Sequence, residues 1–211
     1  MKIANLEKVK KLYFFTKEAL RQIEPDEQRL NFNLKYWLGK GKIISLKKGL
    51  YILKEKWEKE ENKQGYLEYL ANKLYEPSYV SGEYVMDKYS LLTEAVYRIT
   101  NITTKSTKSF ANQLGAFSYY SITPKLFVGW EIKKFYSAPV LLAKKSKGLF
   151  DFLYLRFLKE TPINEKMIKE LRINWENISS KEFKEIQKYA RLSGSRRINL
   201  AVRLIKKIYY A

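Results

Sequence analysis

Apolar positions recur along this chain at two spacings, and the switch from one to the other marks its organisation. Near the start, Leu6, Val9, Leu12 and Tyr13 follow a helical period and predict a first helix over about residues 5–15. Thr16 is a suitable N-cap for a short second helix, KEALRQI, with Ala19, Leu20 and Ile23 turned inward. Pro25 suits a first helical turn, and Asp26 and Glu27 suit the positive end of a helix dipole. A third helix then runs over about residues 26–38. Leu30, Leu34, Trp37 and Leu38 share one of its faces, while Gln28, Arg29, Phe32, Lys35 and Tyr36 share the other. Gly39 and Gly41 stop it. Residues 43–46 and 50–53 read as two strands, turned at Lys47, Lys48 and Gly49.

The polar stretch KEKWEKEENKQG, residues 54–65, predicts a boundary between an N-terminal unit, 1–60, and a larger one, 66–211. Beyond it, Leu67, Leu70 and Leu74 align on a helix. The period then shortens. VYRITNITT, FSYYSIT and KLFVGWEI are rich in Thr, Tyr, Ile and Val and predict strands of a small, mainly antiparallel sheet within residues 77–142. The helical period returns in VLLAKKSKGLFDFLYLRFL, where Leu149, Phe152, Leu153 and Phe157 share a face. Another helix is predicted around residues 167–173. Ser179 and Glu182 have capping-box spacing ahead of the helix in SSKEFKEIQKYARL. In the last segment, RRINLAVRLIKKIYY, Ile198, Val202 and Ile205 face inward, and Arg196, Arg197, Arg203, Lys206 and Lys207 form a basic rim. This rim is a solvated face or a second contact for nucleic acid or protein.

The expected fold is therefore α+β. An N-terminal winged helix-turn-helix precedes a larger domain with a small, mainly antiparallel sheet and a helical C-terminal portion. In such a module the third helix enters the major groove and the hairpin behind it meets the adjacent backbone. Gln28, Arg29, Phe32 and Lys35 would face the bases, Phe32 against a thymine methyl. Lys47 and Lys48 at the hairpin tip would meet phosphates and release counterions, and Lys40 and Lys42 are further expected DNA-binding residues.

Charge sharpens this picture. The chain of 211 residues has 41 basic and 22 acidic side chains, a formal charge of +19. Residues 1–60 carry 15 basic against 8 acidic side chains, residues 61–142 carry 9 against 7, and residues 143–211 carry 17 against 7. Basic ends around a nearly neutral middle point to an anionic partner rather than to uniform solubilisation. The longest apolar run, around residues 138–143, is far short of the roughly twenty residues of a membrane span. With no signal-like apolar segment at the start, the expected location is cytoplasmic.

Catalytic chemistry finds little material. Cysteine and histidine are both absent, which excludes thiolate nucleophiles, Ser-His-Asp triads and His/Cys metal sites. Glu131-Ile132-Lys133 matches half of a metal-dependent nuclease signature, but Glu94 is the only acidic residue between Tyr89 and Trp130 that could supply the second carboxylate. No enzyme activity, cofactor or metal is expected.

Three segments resemble the antitoxin and transcriptional regulator of AbiE-type abortive-infection (type IV toxin–antitoxin) systems. LGKGKIISLKKGLYIL is similar to that family's winged-helix ending, through Gly41, Ile43, Gly49 and Tyr51. EPSYVSGEYVMDKYSLL matches a strand-to-helix motif through Pro77, Tyr79 and Ser81. SAPVLLAKKSKGLFDFLYL matches a third through Ala143, Lys147, Leu149, Asp151, Leu153 and Tyr154, with Ser146 and Gly148 where the family has Glu and Ala. Lys147 and Asp151, four apart, can pair on a helix, and Asp151 is expected to serve packing and hydrogen bonding. The resemblance implies a phage-defence repressor that binds an inverted-repeat operator on double-stranded DNA. It would neutralise a nucleotidyltransferase-like toxin, with direct contact left open. The rival expectation is an interaction or RNA-binding protein that uses its basic C-terminal helices.

Overall fold

A computed structural model describes residues 4–159 and 161–210. The chain is α+β, with two sheets. The first part contains α1 (Ala4–Glu7), β1 (Phe15–Thr16), α2 (Lys17–Arg21), α3 (Glu27–Gly39), β2 (Ile43–Lys47) and β3 (Leu50–Leu53). Its sheet has the order β1-β3-β2, antiparallel throughout.

The expected first helix stops after one turn. Beyond Glu7 the backbone makes only three-residue closures, such as Val9 N to Leu6 O at 3.1 Å. Phe15 instead pairs with Tyr51 in the sheet, their rings stacked at 5.9 Å. Aromatic side chains pack well on a pleated surface, and here that outweighs the helical spacing upstream. Thr16 caps α2 as its sequence predicts, accepting from Ala19 N at 3.1 Å. Gly49 turns the hairpin at φ +81°, a region that a residue with a Cβ resists.

The polar stretch 54–65 is helical. It forms α4 (Lys54–Lys59) and the start of α5 (Lys63–Leu74), which Asn62 caps through Gly65 N at 2.9 Å. There follow β4 (Ser78–Val80), α6 (Gly82–Lys88), β5 (Ile99–Thr103), β6 (Lys108–Asn112), β7 (Gly115–Ser121), β8 (Trp130–Phe135), β9 (Ala138–Ala143), α7 (Lys145–Phe157) and α8 (Glu165–Lys169). The chain closes with α9 (Ser180–Ser193) and α10 (Arg196–Tyr209). The second sheet has the order β6-β7-β5-β4-β9-β8. Three of its five pairings, β4–β5, β6–β7 and β8–β9, are antiparallel, while β4 runs parallel to β9 and β5 parallel to β7. The apolar stretch VLLA, residues 140–143, expected to open a helix, belongs to strand β9, where Val140, Leu142 and Ala143 are buried. Short apolar runs fit a central strand and a buried helix equally, so period alone does not separate them. The capping box of α9 forms as expected.

Two apolar cores result. The smaller gathers Leu6, Val9, Phe15, Leu20, Leu30, Leu34 and Trp37 with Ile43, Tyr51 and Leu53. The larger fills the second sheet and its helices, and it also takes Ile44, Leu46, Leu50 and Ile52. Alternation along β2 and β3 thus sends one side of the hairpin into each core.

Candidate nucleic-acid interface

Two regions hold the residues singled out in the sequence: the outer side of α3 with its hairpin, and the inner side of α7. On α3, Asp26 starts the helix by accepting from Gln28 N at 2.9 Å and Arg29 N at 3.0 Å. Leu30, Asn33, Leu34 and Trp37 are buried at helical spacing. Gln28, Arg29, Phe32, Lys35 and Tyr36 therefore occupy the opposite side and are all exposed. Phe32 is 63% exposed. Leu38, expected to point inward, is also exposed, since it lies off the axis of the buried stripe.

Electrostatics fix the helix against its neighbour and leave its outer cations available. Glu27 bonds Lys17 and, at 2.9 Å, Arg21 Nε, which locks the start of α3 onto α2. Bonding to Arg21 and then to Lys17 pulls the Glu27 carboxyl down to about 2. Arg29 reaches Asp26 at 3.3 Å but stays largely exposed, a weak surface pair that a phosphate or base could displace. Among the described residues, Lys35, Lys42 and Lys48 make no ion pair. Lys40 lies 6.0 Å from the Tyr36 ring centroid. Lys40 and Lys42 line a groove that Glu7, Glu55 and Glu58 also line, so their positive field is partly cancelled.

Lys47 does not share the tip with Lys48. Its ammonium donates to the Leu74 carbonyl at 2.6 Å, at the C-terminal end of α5. There it meets the negative end of the helix dipole. Burial lowers its pKa, and Lys108 adds to that effect. Lys47 thus fastens the hairpin to the larger unit, and the tip is left to Lys48. Nothing within the hairpin sequence signals this, because the partner lies 27 residues on.

On α7 the motif residues meet inside the protein. Tyr79 and Ser81 hydroxyls donate to Asp151 Oδ2 at 2.9 and 2.7 Å, and Lys147 bonds Oδ1 of the same carboxylate. The Lys147 ammonium lies 4.9 Å from the Phe150 ring centroid and 5.4 Å from that of Tyr189. Lys147 and Asp151 have no solvent exposure. Burial pushes the Asp151 carboxyl up and the Lys147 ammonium down, and their pairing opposes both shifts. No substrate reaches either group without opening the core, so the cluster joins β4 to α7 rather than forming a reaction centre. Ser146 donates to Glu185 Oε2 at 2.6 Å.

The C-terminal basic rim divides similarly. Arg197 donates to the Phe157 and Thr161 carbonyls at 3.2 and 2.5 Å, which ties α10 to the end of α7. Lys207 lies 3.8 Å from Glu165. Arg196, Arg203 and Lys206 stay exposed. Glu131 of the nuclease-like triplet pairs with Lys133 at 2.8 Å, and among the described residues no group of acidic side chains is arranged to hold a metal ion. Comparison with protein-family models gives no match for this chain, and comparison with curated proteins gives none either.

Proposed function

We propose that this chain is a double-stranded DNA-binding repressor whose N-terminal part acts as a winged helix-turn-helix. The carrying observation is α3: a polar, cationic side with a protruding Phe32 stands opposite a buried side of Leu30, Leu34 and Trp37 with Asn33. The element order helix, strand, helix, helix, strand, strand and the sheet order β1-β3-β2 support the same module. Arg29 and Phe32 would read base edges, and Lys48 at the hairpin tip would meet a phosphate. The resemblance extends the proposal to an antitoxin that represses its own operon and counters a nucleotidyltransferase-like toxin. The joining of its second and third motifs at Asp151 supports that extension, since the two motifs behave as one packing unit.

Fluorescence anisotropy with duplex from upstream of the chain's own reading frame tests the first part. Tight, salt-dependent binding that exceeds binding to a scrambled duplex is expected. Lys48→Glu should weaken both and lower the salt slope by about 1. Arg29→Ala should relax discrimination at particular base pairs by roughly 1–3 kcal/mol. Equal affinity for both duplexes, or preference for an RNA of the same length, would reject the repressor reading. Coexpression with the product of the neighbouring reading frame tests the second part: that product alone should arrest growth, and this chain should restore it.

A further inference from the structure

Beside the foot of the hairpin lies a group of cations that the nearly neutral charge of residues 61–142 conceals. The run TTKSTKSF, residues 103–110, leads from β5 into β6. Lys105 Nζ and Lys108 Nζ lie 5.5 and 5.7 Å from the Tyr75 ring centroid. Lys108 Nζ is also 5.2 Å from the Phe110 ring, which Lys47 approaches from 6.0 Å. Tyr75 Oη and Ser106 Oγ are 3.3 Å apart. Two aromatic rings therefore hold three ammonium groups in one place.

This group is part of the hairpin's surroundings. Asn112 Nδ2 donates to the Leu46 carbonyl at 3.1 Å, which fastens β6 to β2. The next residues along β2 lead to the Lys48 tip. Charge within the group is unbalanced. After burial, the repulsion of Lys108 is the largest influence on Lys47; Glu76 opposes it, and Lys105 adds a smaller repulsion. Glu76, the nearby carboxylate, is already paired with Lys73 at 2.6 Å. Lys105, Ser106, Thr107, Lys108 and Ser109 are all exposed. Ammonium groups flanked by hydroxyl donors are the usual equipment of contacts to a phosphate backbone.

We propose that Lys105 and Lys108 form a second phosphate-binding site for the same duplex, beside the stretch met by Lys48. The occupant is the phosphodiester backbone of double-stranded DNA. The cluster is an open surface bonded to the proposed wing, and a duplex presents a charge every ~1.7 Å along its axis, so a strand passing the tip continues over it. This inference rests on the DNA-binding reading above.

The test is a salt titration of duplex binding by the full chain, with Lys105→Gln/Lys108→Gln against wild type. The double variant should lower the slope of log affinity against log salt by about 2 and weaken binding on the order of tenfold at 0.1 M salt. Its preference for operator over scrambled duplex should stay unchanged. A Lys105→Arg/Lys108→Arg variant should bind as wild type does, and both should melt at the wild-type temperature. Wild-type slope and affinity in the Gln variant, on a duplex that wild type binds, would overturn this site alone. A wild-type chain that binds no duplex would overturn the DNA-binding reading and this site with it. Should the Gln pair fail to fold, Lys105→Gln alone is read the same way, with a fall of about 1 in slope expected and no change overturning the site.

Discussion

Helices α3 and α7 have the same length, 13 residues each, and opposite fates. α3 lies on the surface and buries one stripe, with Leu30, Asn33, Leu34 and Trp37 inside. α7 lies between the second sheet and α9, and buries residues nearly all round, among them Lys147 and Asp151. A charged side chain therefore means different things on the two helices. On α3 the outward cations Arg29 and Lys35 are solvated, replaceable and free to meet a partner. On α7, Lys147 and Asp151 are locked into place, and any change to them is a change to folding. Side chains that stand out in the sequence are not for that reason a site when they end up inside the core.

The largest expected effect lies on α7. Lys147→Met strands a buried carboxylate and should lower stability by about 3–5 kcal/mol in urea unfolding. Adding Asp151→Asn removes the stranded charge and keeps an acceptor for Tyr79 and Ser81, so the double variant should regain most of the loss. A single variant that unfolds like wild type would dissolve the contrast between the helices.

Next comes a comparison within α3. Leu34→Ala opens a cavity in the smaller core and should cost about 2–5 kcal/mol. Phe32→Ala, two residues away, should change stability by less than ~0.5 kcal/mol while altering duplex discrimination. Equal losses in thermal melts would mean that Phe32 packs against something.

A smaller effect is expected at Gly148. A Cβ there would come within 2.7 Å of Val85 Cγ1 and 3.0 Å of Val85 Cβ, so Gly148→Ala should cost about 1–3 kcal/mol by forcing α6 and α7 apart. The smallest effect concerns Glu27. Its folded carboxyl is held at about 2, below the ordinary 4.5. Its contribution is therefore complete above pH 4.5 and fades as pH falls toward 2. The group is exposed, so the effect is modest. Glu27→Gln should flatten the acid side of the stability curve in that window, and an unchanged curve would show that the clamp on α2 is inert.

Much of the surface helix was legible in the sequence. A stripe of Leu30, Leu34 and Trp37 fixes the opposite side by geometry, and local caps such as Thr16 and the Ser179–Glu182 box need only neighbours along the chain. What escaped depends on distant partners. Phe15 is a strand residue because Tyr51 lies beside it, and the run 138–143 is a strand because β4 and β8 flank it. Lys47 is a fastening because the carbonyl of Leu74 arrives from another helix. Charge averaged over long segments concealed Lys105 and Lys108, which lie three residues apart, and only packing brings Tyr75 and Lys47 to them.

The hairpin β2–β3 sends Ile43, Tyr51 and Leu53 one way and Ile44, Leu46, Leu50 and Ile52 the other. It is a party wall, and neither room stands without it. Cutting the chain after residue 60 would leave four aliphatic side chains facing water, so an isolated N-terminal fragment would aggregate or recruit a substitute partner. Nor can the two halves swing about a tether, because the wall would have to be torn from one of them first. Whatever grips the tip of the hairpin thereby pulls on the whole molecule at once.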